Sequence, residues 1–489
     1  MVGFWLRFIA ATTLPLTNDE GSYLYDAFLL GNGRLPFLTS FSRAPGLMVP
    51  LALWLKIFGV SVTSGRLLAI LASLGSGLML YFLGRVVKRS SLGLWAFAIY
   101  SLISPIIVHG SYLLTEQFEI FYSLVGAYFL LKSIGSRLWL RRALAAGVFF
   151  GLAEATRETA AVCPLFLGLG LLGVAKFSGG FTLDIKQIWQ RVWPTVKALA
   201  VAGGVTVLVW GLLWGLIASQ VGLQHVAKNF EAILTMHSTG ERLSLGYIVR
   251  NKLGELWYLR IDYGILYILV SLFMVLAIVK RWYREASFWL LVSVGLGPLL
   301  FYGLYYKRIQ PEYFASFMPS SAILSAFVVS EIKNSKKLVL VIATLSVLSV
   351  LTFRYQLENP RGGTFYLKPL GNLVTWLKEN TKPTDEIFTA AVSIPMFSGR
   401  HLALDISRPV IFGYPHLRPD IKYSLFPTTE KIMEYLSTNK VKYYIVEKAT
   451  RDTFYTGHDD LRSYLELNYH HLETFPNPTN PIELWVRNS

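Results

Sequence analysis

Two adjacent carboxylates, Asp19 and Glu20, follow the first apolar run of the chain. A carboxylate beside a membrane-embedded segment costs free energy unless it is paired, solvated or used in function, so this pair is a candidate site. Carboxylates can take the proton of a reacting hydroxyl group, which is general-base chemistry. The alternative is structural, namely a solvated loop that begins a helix with Asn18 or Asp19 as its N-cap.

A third carboxylate, Glu116, follows the segment Ser111 to Thr115 at the start of a predicted membrane span. Its structural alternative is an acidic residue in the first turn of a helix, where the helix dipole favours negative charge. Glu119 lies one turn further along and is the weaker candidate of the two.

The composition shows which elements must position these acids. Hydrophobic residues make up 53% of the 489 residues and charged residues only 16%, whereas a soluble globular chain is usually about 25% charged. Together with repeated long apolar runs, this predicts an α-helical polytopic membrane protein. The net charge of +16 then follows largely from membrane orientation, and nucleic acid is not an expected partner.

About eleven apolar runs approach the length that a bilayer requires. The first, Val2 to Leu16, is short and interrupted by Arg7, which leaves open whether part of this helix precedes residue 1. Residues 21–31 and the run from Leu47 to Phe58 are too short to span, and their apolar spacing predicts amphipathic helices in the membrane interface. The other predicted spans are residues 63–86, 91–109, 112–132, 142–157, 159–175, 196–219, 263–280, 286–305, 312–330 and 337–354.

Charge distribution predicts the orientation of these spans. Lysine and arginine are concentrated in the short loops on one side, which the positive-inside rule places in the cytoplasm. The three candidate acids then face outward. From about residue 355 the composition becomes polar. Helical patterns at residues 369–379, 428–437 and 459–467 alternate with strand-like runs at residues 386–391, 441–446 and 482–486. We therefore expect a transmembrane domain of residues 1–354 followed by a small extracytoplasmic α/β domain of residues 355–489.

The order of residues after the first run resembles a known family. An acidic pair precedes an aromatic helical face, a Gly-x-Gly-x-x-Pro turn and a basic residue just before a proline. This series resembles the first extracytoplasmic loop of the dolichyl-phosphate-mannose–protein mannosyltransferases and the related aminoarabinose lipid A transferases, which are glycosyltransferases of the C superfamily. The matching residues are Asp19, Glu20, Tyr23, Ala27, Gly31, Gly33, Pro36, Arg43, Pro45, Phe58, Gly59 and Gly65 to Leu68.

The resemblance implies transfer of a sugar from a lipid phosphate to an acceptor hydroxyl. Asp19 then occupies the position of the general base, Glu20 supports it or binds the acceptor, and Glu116 matches the second acidic position of the family. The leaving phosphate must be held by positive charge or amide donors. The candidates on the outward side are Arg43, Arg157, Lys307 and Arg308, and further contacts to donor or acceptor are Tyr23 and Tyr313.

The resemblance also implies the partners. The donor is a polyprenyl (dolichyl-type) phosphate sugar, the acceptor is a protein hydroxyl or a cell-surface glycolipid, and membrane lipids surround the chain. We expect no cofactor and no metal, because the mannosyltransferases are regarded as metal-independent and the histidines lack ligand spacing. The chain lacks the β-trefoil insert of eukaryotic mannosyltransferases, which indicates a bacterial or archaeal plasma membrane.

Two other functions fit a polytopic membrane chain. A transporter or lipid flippase places ionisable residues near the bilayer midplane, often in two repeated halves. Here the acids lie at the outer ends of spans, and the sequence shows no internal repeat. A non-catalytic partner subunit is disfavoured because Asp19, Glu20 and Glu116 are all present. The sequence leaves the sugar, the acceptor and the oligomeric state open.

Overall fold

The fold is mostly helical, with one small sheet in the C-terminal part. The computed structural model describes residues 1–34, 45–86, 90–177, 185–224, 226–227, 254, 260–280, 318–332, 334–360, 365–389, 391–405, 429–448, 459–478 and 480–488. The α-helices described before residue 360 are α1 (Val2–Thr13), α2 (Asn18–Gly31), α3 (Pro45–Phe58), α4 (Val62–Val86), α5 (Ser90–Leu102), α6 (Ser104–His109), α7 (Thr115–Ser133), α8 (Trp139–Glu154), α9 (Val162–Phe177), α10 (Ile185–Val221), α11 (Arg260–Val279), α12 (Met318–Ser330) and α13 (Ser335–Glu358).

Three of the described helices are long and apolar enough to cross a membrane: α4, residues Gln190–Val221 of α10, and α13. Six shorter helices are also apolar, namely Val2–Thr13, Pro45–Phe58, Ser91–Leu102, Thr159–Val174, Tyr263–Val279 and Met318–Ser330. The predicted spans 63–86 and 337–354 coincide with α4 and α13. The predicted number of eleven spans is not confirmed, and the predicted span 286–305 lies outside the described residues.

Large aliphatic side chains on α10 and α13 are exposed. Val207, Leu212 and Leu216 of α10 are 58–67% exposed, and Val350 and Leu351 of α13 are 67% and 61% exposed. Monomeric soluble proteins rarely expose contiguous apolar surfaces of this kind. These surfaces are therefore suited to contact lipid tails, as a multi-pass membrane protein requires.

The predicted span 91–109 is two helices, α5 and α6, separated at Ile103. Pro105 explains the break, because a proline has no N–H and clashes with the carbonyl four residues earlier. That carbonyl belongs to Ser101, and it accepts a 2.9 Å hydrogen bond from the buried side chain of Arg7. Arg7 also donates to the Tyr100 carbonyl at 2.9 Å. The arginine that interrupts the first apolar run therefore donates hydrogen bonds to the backbone carbonyls at the end of α5, which lack partners within that helix.

The described residues from 365 onward form the C-terminal unit. Its elements are α14 (Leu367–Asn380), β1 (Glu386–Thr389), α15 (Ser393–Ser398), β2 (His401–Leu402), α16 (Thr429–Thr438), β3 (Tyr443–Glu447), α17 (Asp459–Asn468), β4 (Tyr469–Phe475) and β5 (Ile482–Arg487). The five strands form one sheet of order β2-β1-β3-β5-β4, in which β1 is parallel to β2 and β3, and β5 is antiparallel to β3 and β4. The sequence pattern missed α15, β2 and β4.

The C-terminal unit and the first helices share one apolar core. Leu16 and Phe365 exchange two backbone hydrogen bonds of 2.7 and 3.1 Å. One cluster of buried side chains runs from α1–α4 and the turn before α7 into α14, β1, β3 and β5. In addition, α13 continues to Glu358, beyond the proposed boundary at residue 354. The division at residues 354 and 355 therefore stays a prediction.

The predicted interfacial helix at residues 21–31 is wrong in one respect. The helix exists as α2, but its residues from Glu20 to Ala27 and Leu29 are buried on all sides. It packs against α3, α4 and, in the C-terminal unit, α15. By contrast, α3 keeps an exposed apolar face that includes Leu53 and Ile57.

Candidate active site

The acidic pair lies in the first turn of α2. Thr17 is the N-cap: its side chain accepts a 3.1 Å hydrogen bond from the Glu20 amide, and its own amide donates to the Glu20 carboxylate at 3.0 Å. This reciprocal capping box fixes the start of the helix. The N-cap is therefore Thr17 and not Asn18 or Asp19. Asp19 is half-buried at the second helical position, and Glu20 is fully buried at the third.

Glu20 forms a bidentate ion pair with Arg66 of α4. Arg66 Nε lies 2.8 Å from Glu20 Oε1, and Arg66 Nη2 lies 2.8 Å from Glu20 Oε2. Both side chains are 0% exposed. Parallel hydrogen bonds between a guanidinium fork and a carboxylate combine strength with a fixed geometry.

The remaining donors of Arg66 bind the end of α1. Nη1 donates to the carbonyls of Ala11 and Leu14 at 2.7 and 2.8 Å, and Nη2 donates to the carbonyl of Pro15 at 2.7 Å. These carbonyls include ones that a helix end leaves without an intrahelical partner. All five N–H groups of Arg66 are thus used, and the side chain joins α1, α2 and α4.

Glu20 also reaches the turn before α7, because Oε1 accepts a 2.8 Å hydrogen bond from the Leu113 amide. A carboxylate offers about four acceptor positions, and Thr17, Leu113 and two nitrogens of Arg66 occupy them. This geometry is compatible with the predicted role in which Glu20 supports Asp19. It does not fit the other predicted role of Glu20, direct contact with an acceptor, since its side chain is enclosed and saturated.

Glu116 belongs to a second ion cluster at the start of α7. Arg157 Nη1 lies 2.9 Å from Glu116 Oε1 and 3.5 Å from Glu119 Oε2. The Thr115 hydroxyl donates to Glu116 Oε2 at 3.1 Å. The three charged side chains are 6–10% exposed, and a buried charge is tolerated only with such partners. Arg157, predicted to bind the donor phosphate, is therefore engaged by two carboxylates.

The two clusters are connected through the backbone. Glu20 follows Asp19 directly, and Leu113 lies three residues before Glu116. The hydrogen bond from the Leu113 amide to Glu20 thus links the segment that carries Asp19 to the segment that carries Glu116. Tyr23, one turn after Asp19, is 2% exposed within the shared apolar core. The other predicted contacts, Arg43, Lys307, Arg308 and Tyr313, lie outside the described residues.

Sequence reasoning missed Arg66 and underrated Glu119. Arg66 carried a signal, because it stands near the outer end of a predicted span, where basic residues are least expected. The spacing Thr17-x-x-Glu20 was a second signal, since it matches a capping box. Within the described part of the chain, no group of three His, Cys, Asp or Glu side chains could hold a metal ion.

A known family model matches part of the chain. Residues 42–210 match the model of the family described as dolichyl-phosphate-mannose-protein mannosyltransferase. The resemblance to the mannosyltransferase family is therefore confirmed. The matched region contains Arg66, Glu116, Glu119 and Arg157, and Asp19 precedes it. No curated protein sequence matches the chain.

Solved structures of glycosyltransferases share the fold. ArnT from Cupriavidus metallidurans in the apo state matches with a TM-score of 0.66 and 12% identity over 99% of this chain and 96% of ArnT. The same enzyme bound to undecaprenyl phosphate gives 0.63 and 12% over 100% and 97%. The oligosaccharyltransferase AglB from Archaeoglobus fulgidus, in complex with an inhibitory peptide and a dolichol-phosphate, gives 0.57 and 12% over 100% and 74%. At this identity the likeness shows that the chain shares the fold of these glycosyltransferases.

Proposed function

We propose that the protein is an integral-membrane glycosyltransferase. It transfers a sugar from a polyprenyl-phosphate donor to a hydroxyl group of a protein or a cell-surface glycolipid, on the outer face of a bacterial or archaeal plasma membrane. The observation that carries the proposal is the position of Asp19. It stands partly accessible in the first turn of α2, which the buried Glu20–Arg66 pair fixes, in a chain with the fold of ArnT.

Asp19 is the general base of the proposed reaction. Glu20 has its acceptor positions filled, and Glu116 is paired with Arg157. Asp19 is the most accessible of the three acids. It lies in the first turn of α2, which is held in place by contacts of Glu20 with Thr17, Arg66 and the Leu113 amide. As the acceptor oxygen attacks the sugar, Asp19 takes the hydroxyl proton, and the bond from the sugar to the phosphate breaks.

The departing phosphate gains negative charge and needs cations near it. Arg157 faces two carboxylates, so the cluster of Arg157, Glu116 and Glu119 carries a net charge of about −1 when all three side chains are ionised. We therefore assign the main contact with the phosphate to Arg43, Lys307 and Arg308. Arg157 then holds the side chains of Glu116 and Glu119 in place.

A radiolabelled transfer assay tests this function. Membranes containing the protein are supplied in turn with several polyprenyl-phosphate sugars and with the corresponding nucleotide sugars. We expect label to move from at least one polyprenyl-phosphate sugar to membrane protein or glycolipid, and not in membranes that contain Asp19→Asn. Transfer from a nucleotide sugar alone, or from none of the donors, would contradict the proposal.

A further inference from the structure

A cavity of about 740 Å³ lies between α2 and the C-terminal unit. Its volume falls in the range of roughly 300–1,000 Å³ that is usual for small-molecule sites. One wall comes from the second half of α2 and its C-cap, and the opposite wall comes from β1, β2 and α16. The lining side chains that matter for recognition are Tyr25, Phe28, Asn32, Glu386, His401 and Tyr435.

The polar lining offers both donors and acceptors. The Tyr435 hydroxyl donates to both oxygens of Glu386 at 3.0 Å, and this pair lies at the start of β1. Asn32 donates its amide to the Phe28 carbonyl at 2.8 Å. Amide, imidazole and phenol groups can each donate or accept, whereas a carboxylate accepts. A ligand with several hydroxyl groups matches this mixture, because each hydroxyl also donates and accepts.

Two arginines, Arg34 and Arg400, also line the cavity beside the carboxylate of Glu386, so its lining is mixed in charge and is not selective for a phosphate or another anion. Arg400 reaches the cavity, but its guanidinium is committed to the end of α14: Nη2 donates to the carbonyls of Leu377 and Thr381 at 3.0 and 2.7 Å, and Nε donates to the Thr381 hydroxyl at 2.6 Å. The carboxylate of Glu386 stands on the same wall. The aromatic rings of Tyr25 and Phe28 instead suit the apolar C–H faces of sugar rings.

The cavity is distant from the reacting group. At 1.5 Å per residue, Tyr25 and Asn32 lie about 9 and 20 Å along α2 from Asp19. At 100° per residue, Tyr25, Phe28 and Asn32 are rotated by about 120–180° from Asp19 around the helix axis. The cavity therefore suits a part of the acceptor that lies several units from the hydroxyl that reacts.

We infer that this cavity binds the glycan portion of the acceptor and so selects a sugar-bearing acceptor over a bare protein hydroxyl. The inference rests on the proposed glycosyltransferase function. It assigns the C-terminal unit a direct part in recognition, since Glu386, His401 and Tyr435 supply one wall. It also explains why α2, which begins with the candidate base, ends against that unit.

Binding is tested first, without turnover. Saturation-transfer NMR on the full chain in detergent uses three neutral trisaccharides, built of mannose, glucose or galactose, and a serine- and threonine-containing decapeptide. We expect saturation transfer to at least one trisaccharide, its loss in Asn32→Trp, and its retention in Asn359→Trp. Both asparagines are exposed at a helix C-terminal end and donate to the carbonyl four residues earlier, at 2.8 and 3.1 Å, and Asn359 does not line the cavity.

Two binding results would overturn the inference. One is binding of none of the trisaccharides by the wild-type chain. The other is binding of the decapeptide that Asn32→Trp abolishes, which would make the cavity a peptide site. A second variant, His401→Ala, removes a polar group from the other wall without filling the space. We expect it to weaken trisaccharide binding roughly 2- to 10-fold, as the loss of one neutral hydrogen bond does.

Transfer kinetics separate this inference from the proposed function. With a glycolipid acceptor, Asn32→Trp should raise the acceptor KM about tenfold or more, and the rate should recover at high acceptor concentration. If Asn32→Trp and Asn359→Trp have equal acceptor KM values while transfer proceeds, the cavity assignment is wrong and the glycosyltransferase function stands. If the wild-type chain transfers no sugar yet binds a trisaccharide, the proposed function fails and the site remains.

Discussion

At the scale of residues, two neighbouring carboxylates have different environments. Asp19 is half-buried, whereas the carboxylate of Glu20 is enclosed by Thr17, Arg66 and the Leu113 amide. Helical geometry turns successive side chains by about 100°, so one acid faces the core while its neighbour does not. In the proposed reaction, Asp19 therefore has the chemical role and Glu20 has the positioning role.

Asp19→Asn should reduce the transfer rate about 10²–10⁴-fold, the usual contribution of a general base. The amide has almost the same shape and remains near the solvent, so expression and the thermal midpoint should stay at the wild-type values. Rates measured at saturating donor and acceptor test this. Asn18→Ala, at the exposed preceding position, is the matched control. Full activity of Asp19→Asn would exclude the proposed base.

Glu20→Gln should destabilise the protein by about 3–5 kcal/mol, because it leaves the buried guanidinium of Arg66 without its counter-charge. Arg354→Met provides the comparison. It breaks the 2.8 Å pair of Arg354 with Glu358, whose side chains are 80% and 57% exposed, and such solvent-screened surface pairs contribute little to stability. Denaturant unfolding in detergent measures both changes. Equal stability of the two variants would show that the buried pair is not the anchor of α2.

Arg43→Ala should lower donor use about 10- to 150-fold, since a hydrogen bond to a charged group contributes roughly 1.5–3 kcal/mol. Arg43→Lys should recover only part of the activity, because a lysine cannot contact phosphate bidentately. Lys56→Ala, at the end of α3, is the control. The deciding measurement is the KM for the donor. A change in the KM for the acceptor alone would contradict the assignment of Arg43 to the phosphate site.

At the scale of elements, glycines set the distance between α4 and α5. A Cβ atom built on Gly84 would lie 2.3 Å from the Gly93 Cα atom, and one built on Gly93 would lie 2.4 Å from the Tyr81 carbonyl oxygen. Small residues at such crossings allow membrane helices to approach closely. The crossing matters for the site because α4 carries Arg66.

Gly84→Ala should force the two backbones apart and destabilise the fold by about 1–3 kcal/mol, the usual range for overpacking. Gly203→Ala is the matched control, because a Cβ atom at Gly203 in α10 meets nothing within 4 Å. There the better helix propensity of alanine should leave stability unchanged or slightly raised. Thermal unfolding in detergent compares them. A neutral Gly84→Ala would mean that the α4–α5 contact adapts without strain.

At the scale of the whole molecule, the proposed orientation places the C-terminal unit and the acids outside. In α13, 24 residues rise about 36 Å, enough to cross a hydrocarbon core of about 30 Å. Ser335 begins this helix, and the C-terminal unit follows its other end.

In a Cys163→Ser background, Asn439→Cys in the C-terminal unit should react with an impermeant thiol reagent added to intact cells. Ser335→Cys should react only after the membrane is made permeable. Both positions are exposed, so access from one side of the membrane is the only intended difference between them. The reverse labelling pattern would invert the orientation and place Asp19 on the cytoplasmic side.

The sequence by itself indicated where many of the described helices lie and their order, because apolar periodicity and capping residues act within a few positions. The helices and strands predicted after residue 365 begin and end within two residues of those observed. The capping box of Thr17 and Glu20 is likewise local, with partners three residues apart. The acidic pair was found for the same reason, since two adjacent carboxylates beside an apolar run can be recognised from the sequence alone.

Only the tertiary structure decided which partners each acid has and how far it is buried. Glu20 meets Arg66 and Leu113 across 46 and 93 residues of sequence, and no periodicity encodes such partners. Burial of α2 likewise depends on α15, more than 350 residues later. The cavity between α2 and the C-terminal unit exists for the same reason. Packing between distant segments fixes which polar groups are enclosed and which remain accessible, and local sequence cannot specify it.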